Sequence, residues 1–211
     1  MKKNIFIFIF LFFLMGSCKQ SPSKPNQINI EVNNRADSIK IKDFKLYDTS
    51  IRKDSLEINA SSTFIFFPFG EYTDVSSFAT NYKNLKLEIF SSPVYGDTSY
   101  IINLYRFSSE YSYVTFCLER VSDVPEDTTE RMGVVFAKII DNQIFLDHNI
   151  KIGMTREEFL KRFTDNIEML NPMSPINVYE LMADGIWHYY TFKNDTLVSI
   201  ILDTDRQLNK D

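Results

Sequence analysis

Two histidines, two cysteines and a few neighbouring carboxylates are the side chains of this 211-residue chain that could support nucleophilic, acid–base or metal chemistry. Zinc needs ligands at short, fixed spacings, and no H-x-H, H-E-x-x-H or C-x-x-C occurs. G-x-S-x-G, G-x-G-x-x-G and the P-loop are also missing. His148 follows Asp147 in a turn and reads as a surface imidazole. His188 stands in a strand-like run. Alternation groups it with Ile186, Tyr190 and Phe192, opposite Trp187, Tyr189 and Thr191, and so as a sheet-packing residue. Cys117 reads as an inert strand thiol, and only a spatial pairing with His148 or His188 would activate it. Glu157-Glu158 serve a helix start, and Asp203 and Asp205 lie toward the tail. The acidic loop Ser122 to Arg131 lacks the ligand ladder and glycine of an EF-hand and reads as a solvated loop. These residues lead to an expectation of no catalytic, cofactor or metal site.

Aromatic density is the remaining functional signal. Tyr95, Tyr100, Tyr105, Tyr111 and Tyr113 form one group, and Trp187 and Tyr189 another, beside Tyr190. Tyrosine and tryptophan are enriched in protein interfaces and stack on sugars, and they are also ordinary strand residues. These seven residues, without Tyr190, make the candidate binding surface.

The elements that would position them are mostly strands. Apolar residues alternate at Ile28, Ile30 and Val32, at Ile39 and Ile41, from Leu56, and at Leu85, Leu87 and Ile89. The apolar run from Thr63 to Phe69 reads as extended. Tyr100 to Phe107 and Tyr111 to Arg120 predict a hairpin over Ser108-Ser109-Glu110. Met132 to Ile140 and Ile144 to Leu146 predict another over Asp141-Asn142. Asp74 caps a short helix to Lys83, with Val75, Phe78 and Tyr82 on one side. Thr155 and Glu158 form a capping box for a second helix that buries Phe159 and Phe163. Val178 to Met182, Ile186 to Phe192 and Leu197 to Leu202 are strand candidates, the last two a hairpin over residues 193–196. The expected class is α+β: antiparallel sheet with one or two helices packed on one face.

The N-terminus sets the compartment. Lys2 and Lys3 precede an apolar run of eleven residues, Ile5 to Met15, which is a signal-peptide length and short of a membrane span. Gly16-Ser17-Cys18 follows. Residues 1–18 resemble the signal and lipobox of bacterial lipoproteins. The resemblance implies cleavage after residue 17 and diacylglycerol plus an acyl chain on Cys18. Lys19 at the next position is not the familiar aspartate retention signal, so the resemblance implies the outer membrane. Residues 18–27, with Pro22 and Pro25, read as a tether. The formal charge is −5; without Lys2 and Lys3 it is about −7, from 21 basic and 28 acidic side chains. That acidity argues against nucleic acid as a partner.

Organisation then reads as a β-rich region over 28–148, a helix-plus-sheet unit over 149–205 that either continues it or stands alone, and a tail over 206–211. Ile152-Gly153-Met154-Thr155-Arg156-Glu157-Glu158-Phe159, with Trp187 to Phe192 and Leu197 to Ile200, resembles the unit of SmpA/OmlA-type envelope lipoproteins and the beta-lactamase-inhibitor-protein-like fold. The resemblance covers about 50 residues and implies a binding or scaffolding module. The expected function is a non-catalytic, membrane-anchored protein-binding module of the cell envelope. An inhibitor or immunity lipoprotein acting on a toxin or enzyme, or a surface carbohydrate-binding protein, are the alternatives.

Overall fold

The protein is α+β, with nine strands in one mixed sheet and three helices packed against it. The computed structural model describes residues 40–94, 97–120, 129–171, 175–206 and 208, with the backbone alone for 94 and 97–100. Strands β1 (Lys45–Arg52) and β2 (Ser55–Ser61) form a hairpin. Helices α1 (Thr63–Phe66) and α2 (Val75–Asn81) lead to a meander of β3 (Lys86–Val94), β4 (Asp97–Ser108), β5 (Tyr113–Arg120) and β6 (Glu130–Ile139). Helix α3 (Arg156–Phe163) leads to a second meander of β7 (Val178–Ala183), β8 (Ile186–Lys193) and β9 (Thr196–Thr204). The second meander slots between β2 and β6, giving the order β1-β2-β7-β8-β9-β6-β5-β4-β3. Among the described strands only β2 and β7 pair in parallel. That pairing needs a long crossover, which residues 62–177 supply.

Local chemistry explains most elements. Thr155 Oγ1 accepts from the Glu158 N–H at 3.2 Å while the Glu158 carboxylate accepts from the Thr155 N–H at 2.7 Å, the expected capping box. Asp74 caps α2 by accepting from the Ser77 N–H at 2.9 Å. The β7–β8 turn is Asp184-Gly185 with φ of 38° and 76°. The β8–β9 turn is Asn194-Asp195 with φ of 49° and 64°. Two-residue turns with positive φ at both positions match strand twist and hold the register of both hairpins.

The three described helices each bury residues in one cluster on one face of the sheet: Phe64 and Ile65, Phe78, and Phe159, Leu160 and Phe163. Phe78 of α2 stacks on Tyr82 at 4.4 Å and meets Phe107 and Phe116 at 4.7 Å each. Phe159 of α3 sits 4.6 Å from Tyr190 and 5.4 Å from Phe192. Such aromatic contacts supply a large share of burial per residue.

Three local expectations are corrected. Residues 63–66 are a helical turn, not extended chain. Ser62 Oγ accepts from the Phe64 N–H, and the Asp43 carboxylate accepts from Ser62 and from the Thr63 N–H. These caps, one from nineteen residues upstream, stabilise the turn and press Phe64 and Ile65 onto the sheet. Ile144 to Leu146 is not a strand. Ser112 Oγ accepts from the N–H groups of Ile140 and Asp141, which ends β6 and turns the chain away. Ile144 and Leu146 are nevertheless fully buried, and β6 takes β9 as its neighbour. Ile41, expected in a strand, is instead a buried loop residue before β1 whose N–H donates to the Arg162 carbonyl at 2.8 Å. Ile28, Ile30, Val32 and Ile39, and most of the acidic loop from Ser122, lie outside the described residues.

Candidate functional site: the helix-free face of the sheet

Among the described residues no helix covers the second face of the sheet. Strand register arranges that face in rows. One row runs Glu57, Glu180, Tyr189, Ile201, Lys138, Tyr113 across β2, β7, β8, β9, β6 and β5. The next runs Asn59, Met182, Trp187, Asp203, Phe136, Thr115. Trp187, Tyr189, Met182, Phe136 and Tyr113 are all half-buried there. Burial, with Glu180 and Asp203 beside it, raises the Tyr189 phenol above its ordinary pKa. On the other half, the Arg106 guanidinium lies between the Phe90 and Tyr113 rings, at 5.0 and 4.9 Å.

Two clefts flank the Asp184-Gly185 turn. The first, of about 260 Å³, opens beside Trp187 between Asn59, Met182 and Asp184. The second, of about 330 Å³, is walled by Phe67, Arg131, Glu119 and Arg206. Its charges largely satisfy one another. Glu119 pairs with Arg206 and lies 3.7 Å from Arg131, which stacks on Phe67 at 4.8 Å. Arg206 also donates to the Val134 carbonyl at 3.2 Å and to Cys117 Sγ at 3.4 Å. Gly133 makes this possible, because a Cβ there would overlap the Glu119 carboxylate. Leu208 packs over Leu104, Cys117 and Val135 and covers part of this face.

The candidate residues divide. Trp187 and Tyr189 meet side by side, and Tyr113 shares their face three strands from Tyr189. Tyr105 pairs with Phe116 on the helix side and packs against the main core, so alternation removes it from this surface. Tyr111 is exposed in the β4–β5 loop. Cys18 and Tyr95 lie outside the described residues, as does the Tyr100 side chain. Met182, Glu180 and Asp184 escaped sequence reasoning. Their signal was the alternation of β7 against β8, which needs the pairing register to be usable.

His188 is fully buried on the helix side, as its alternation indicates. Its Nε2 lies 3.1 Å from the Ile65 carbonyl and its Nδ1 2.9 Å from Tyr190 Oη. A carbonyl only accepts, so Nε2–H donates to Ile65 and Nδ1 accepts from the tyrosine. Burial lowers its pKa to about 3, so the ring is neutral and ties α1 to β8. Cys117 is 2% exposed, and burial raises its thiol pKa against the opposing pull of Arg206. His148 is half-buried, not a free surface group, and meets Phe64 edge-on at 5.8 Å.

No protein-family model, curated protein or solved structure matches this chain.

Proposed function

We propose that this protein is a non-catalytic lipoprotein, anchored through diacylglycerol and an acyl chain on Cys18, most consistent with the outer membrane. It binds a protein partner in the cell envelope through the helix-free face of its sheet. The observation that carries the reading is the grouping of Trp187, Tyr189, Met182, Tyr113 and Phe136 on that one face. Half-buried aromatics and methionine bordered by charge are the composition of interfaces. The burial of Cys117 and His188 supports the non-catalytic part, since neither can reach a substrate without local opening.

Site-specific photo-cross-linking in native envelopes tests this. A cross-linker replacing Tyr189 should capture one partner in near-stoichiometric amount, and one replacing Lys83, near the end of α2, should not. Equal capture from both positions, or none from either, removes the reading.

A further inference from the structure

Resting on that protein-binding reading, the geometry points to the chemistry of the partner: a lysine or arginine side chain seated in the cleft beside Trp187. The cleft has a volume of about 260 Å³ and two kinds of wall. Trp187 and Met182 supply an aromatic face and a soft apolar surface, while Asn59 and Asp184 bring an amide and an exposed carboxylate. A long basic side chain matches both, because its methylene stem packs on apolar walls and its charged head takes a π face and a carboxylate.

Competing occupants fit less well. An acidic side chain would meet Asp184, with Glu180 and Asp203 at neighbouring register positions around Trp187 and Tyr189. A purely apolar side chain would desolvate the Asp184 carboxylate and the Asn59 amide without replacing their hydrogen bonds. The nearby cations do not reverse the sign. Arg131 and Arg206, which line the adjoining cleft with Asp184, are engaged by Glu119. Arg52 pairs with Glu57 at 2.9 Å, and Lys138 stands on β6, beyond β9. The chain's formal charge of −5 adds long-range attraction for a basic partner.

Trp187 is the single tryptophan of the chain, so its fluorescence reports binding at or beside this cleft. The full chain in detergent is titrated with a Gly/Ser decapeptide carrying two arginines, and with the same peptide carrying two glutamates. The arginine peptide should give a saturable change that weakens with salt, and the glutamate peptide none. Asp184→Asn should weaken binding about tenfold. Asn-Gly forms the same turn as Asp-Gly, so the variant should keep its hairpin. Lys83→Ala, just past α2 and off this face, should bind the arginine peptide as wild type does. Absence of a saturable arginine response, an equal glutamate response, or an unchanged Asp184→Asn titration overturns the inference. If the Tyr189 cross-link captures a partner while the arginine peptide fails, the basic anchor falls and the protein-binding reading stands. An arginine response without any captured partner overturns the protein-binding reading instead.

Discussion

Acid should weaken this protein through His188 in particular, and the size of the effect follows from where the ring sits. His188 is fully buried, with its pKa lowered from 6.5 to about 3. The unfolded chain therefore takes up a proton first as the pH falls. The stability tied to the neutral ring is complete above pH 6.5 and is lost progressively toward pH 3. At pH 4.5 the loss spans two pH units at about 1.36 kcal/mol each, or about 2.7 kcal/mol. That is a large part of a typical stability of roughly 5–15 kcal/mol. Carboxylates whose pKa values are lowered, such as Asp43, Asp141 and Glu158, also lose stability in acid. They do so equally in a variant that leaves them in place, so a difference between two proteins isolates the histidine. His188→Gln keeps a neutral amide and should cost about 1–3 kcal/mol at pH 8 through the disturbed bond to the Ile65 carbonyl. Urea denaturation at pH 8, 6.5, 5.5 and 4.5 then compares the slopes. Between pH 8 and 4.5 the wild type should lose about 2.7 kcal/mol more than the variant. Parallel pH profiles would show that the ring is not held neutral by burial, and the reasoning would be refuted.

Other perturbations test other parts of the molecule. Gly133→Ala should displace the Glu119 carboxylate from Arg206 and cost about 1–3 kcal/mol. It should also speed the reaction of Cys117 with a thiol reagent, and an unchanged rate would show that Arg206 does not guard the sulfur. Thr155→Ala removes half of the α3 capping box and should cost about 0.5–2 kcal/mol in urea titration. Labelled palmitate should enter the wild-type protein and not Cys18→Ala; equal labelling, or none in either, removes the lipid-anchor reading.

What was legible in the sequence was legible for local reasons. Thr155 and Glu158 lie three residues apart, so their reciprocal bonds need nothing from the rest of the fold. The same holds for Asp74 and Ser77 at the start of α2. Alternation placed His188 opposite Trp187 and Tyr189 because a strand has a period of two wherever it lies. Strand β1 was harder to read. It is a polar edge strand whose Tyr47 and Ile51 are 57% and 51% exposed, so no buried face imposes a pattern on it. The run after Ser62 was ambiguous because an apolar stretch packs equally well as a strand or a turn of helix. Asp43, remote in the sequence, stabilises the helical form.

The sequence by itself determined the class, the helix starts and which residues of a given strand share a face. All of these depend on backbone geometry and contacts within a few residues. Only the tertiary structure decided which strands are neighbours. It put β7 beside β2 and β9 beside β6, and so gathered Asn59, Met182, Trp187 and Asp203 into one row. It also turned Tyr105 to the helix side, away from Tyr113. Strand pairing over long separations is selected by which arrangement buries the combined apolar surface and satisfies the backbone at once. That is a property of the whole chain, and no short segment encodes it.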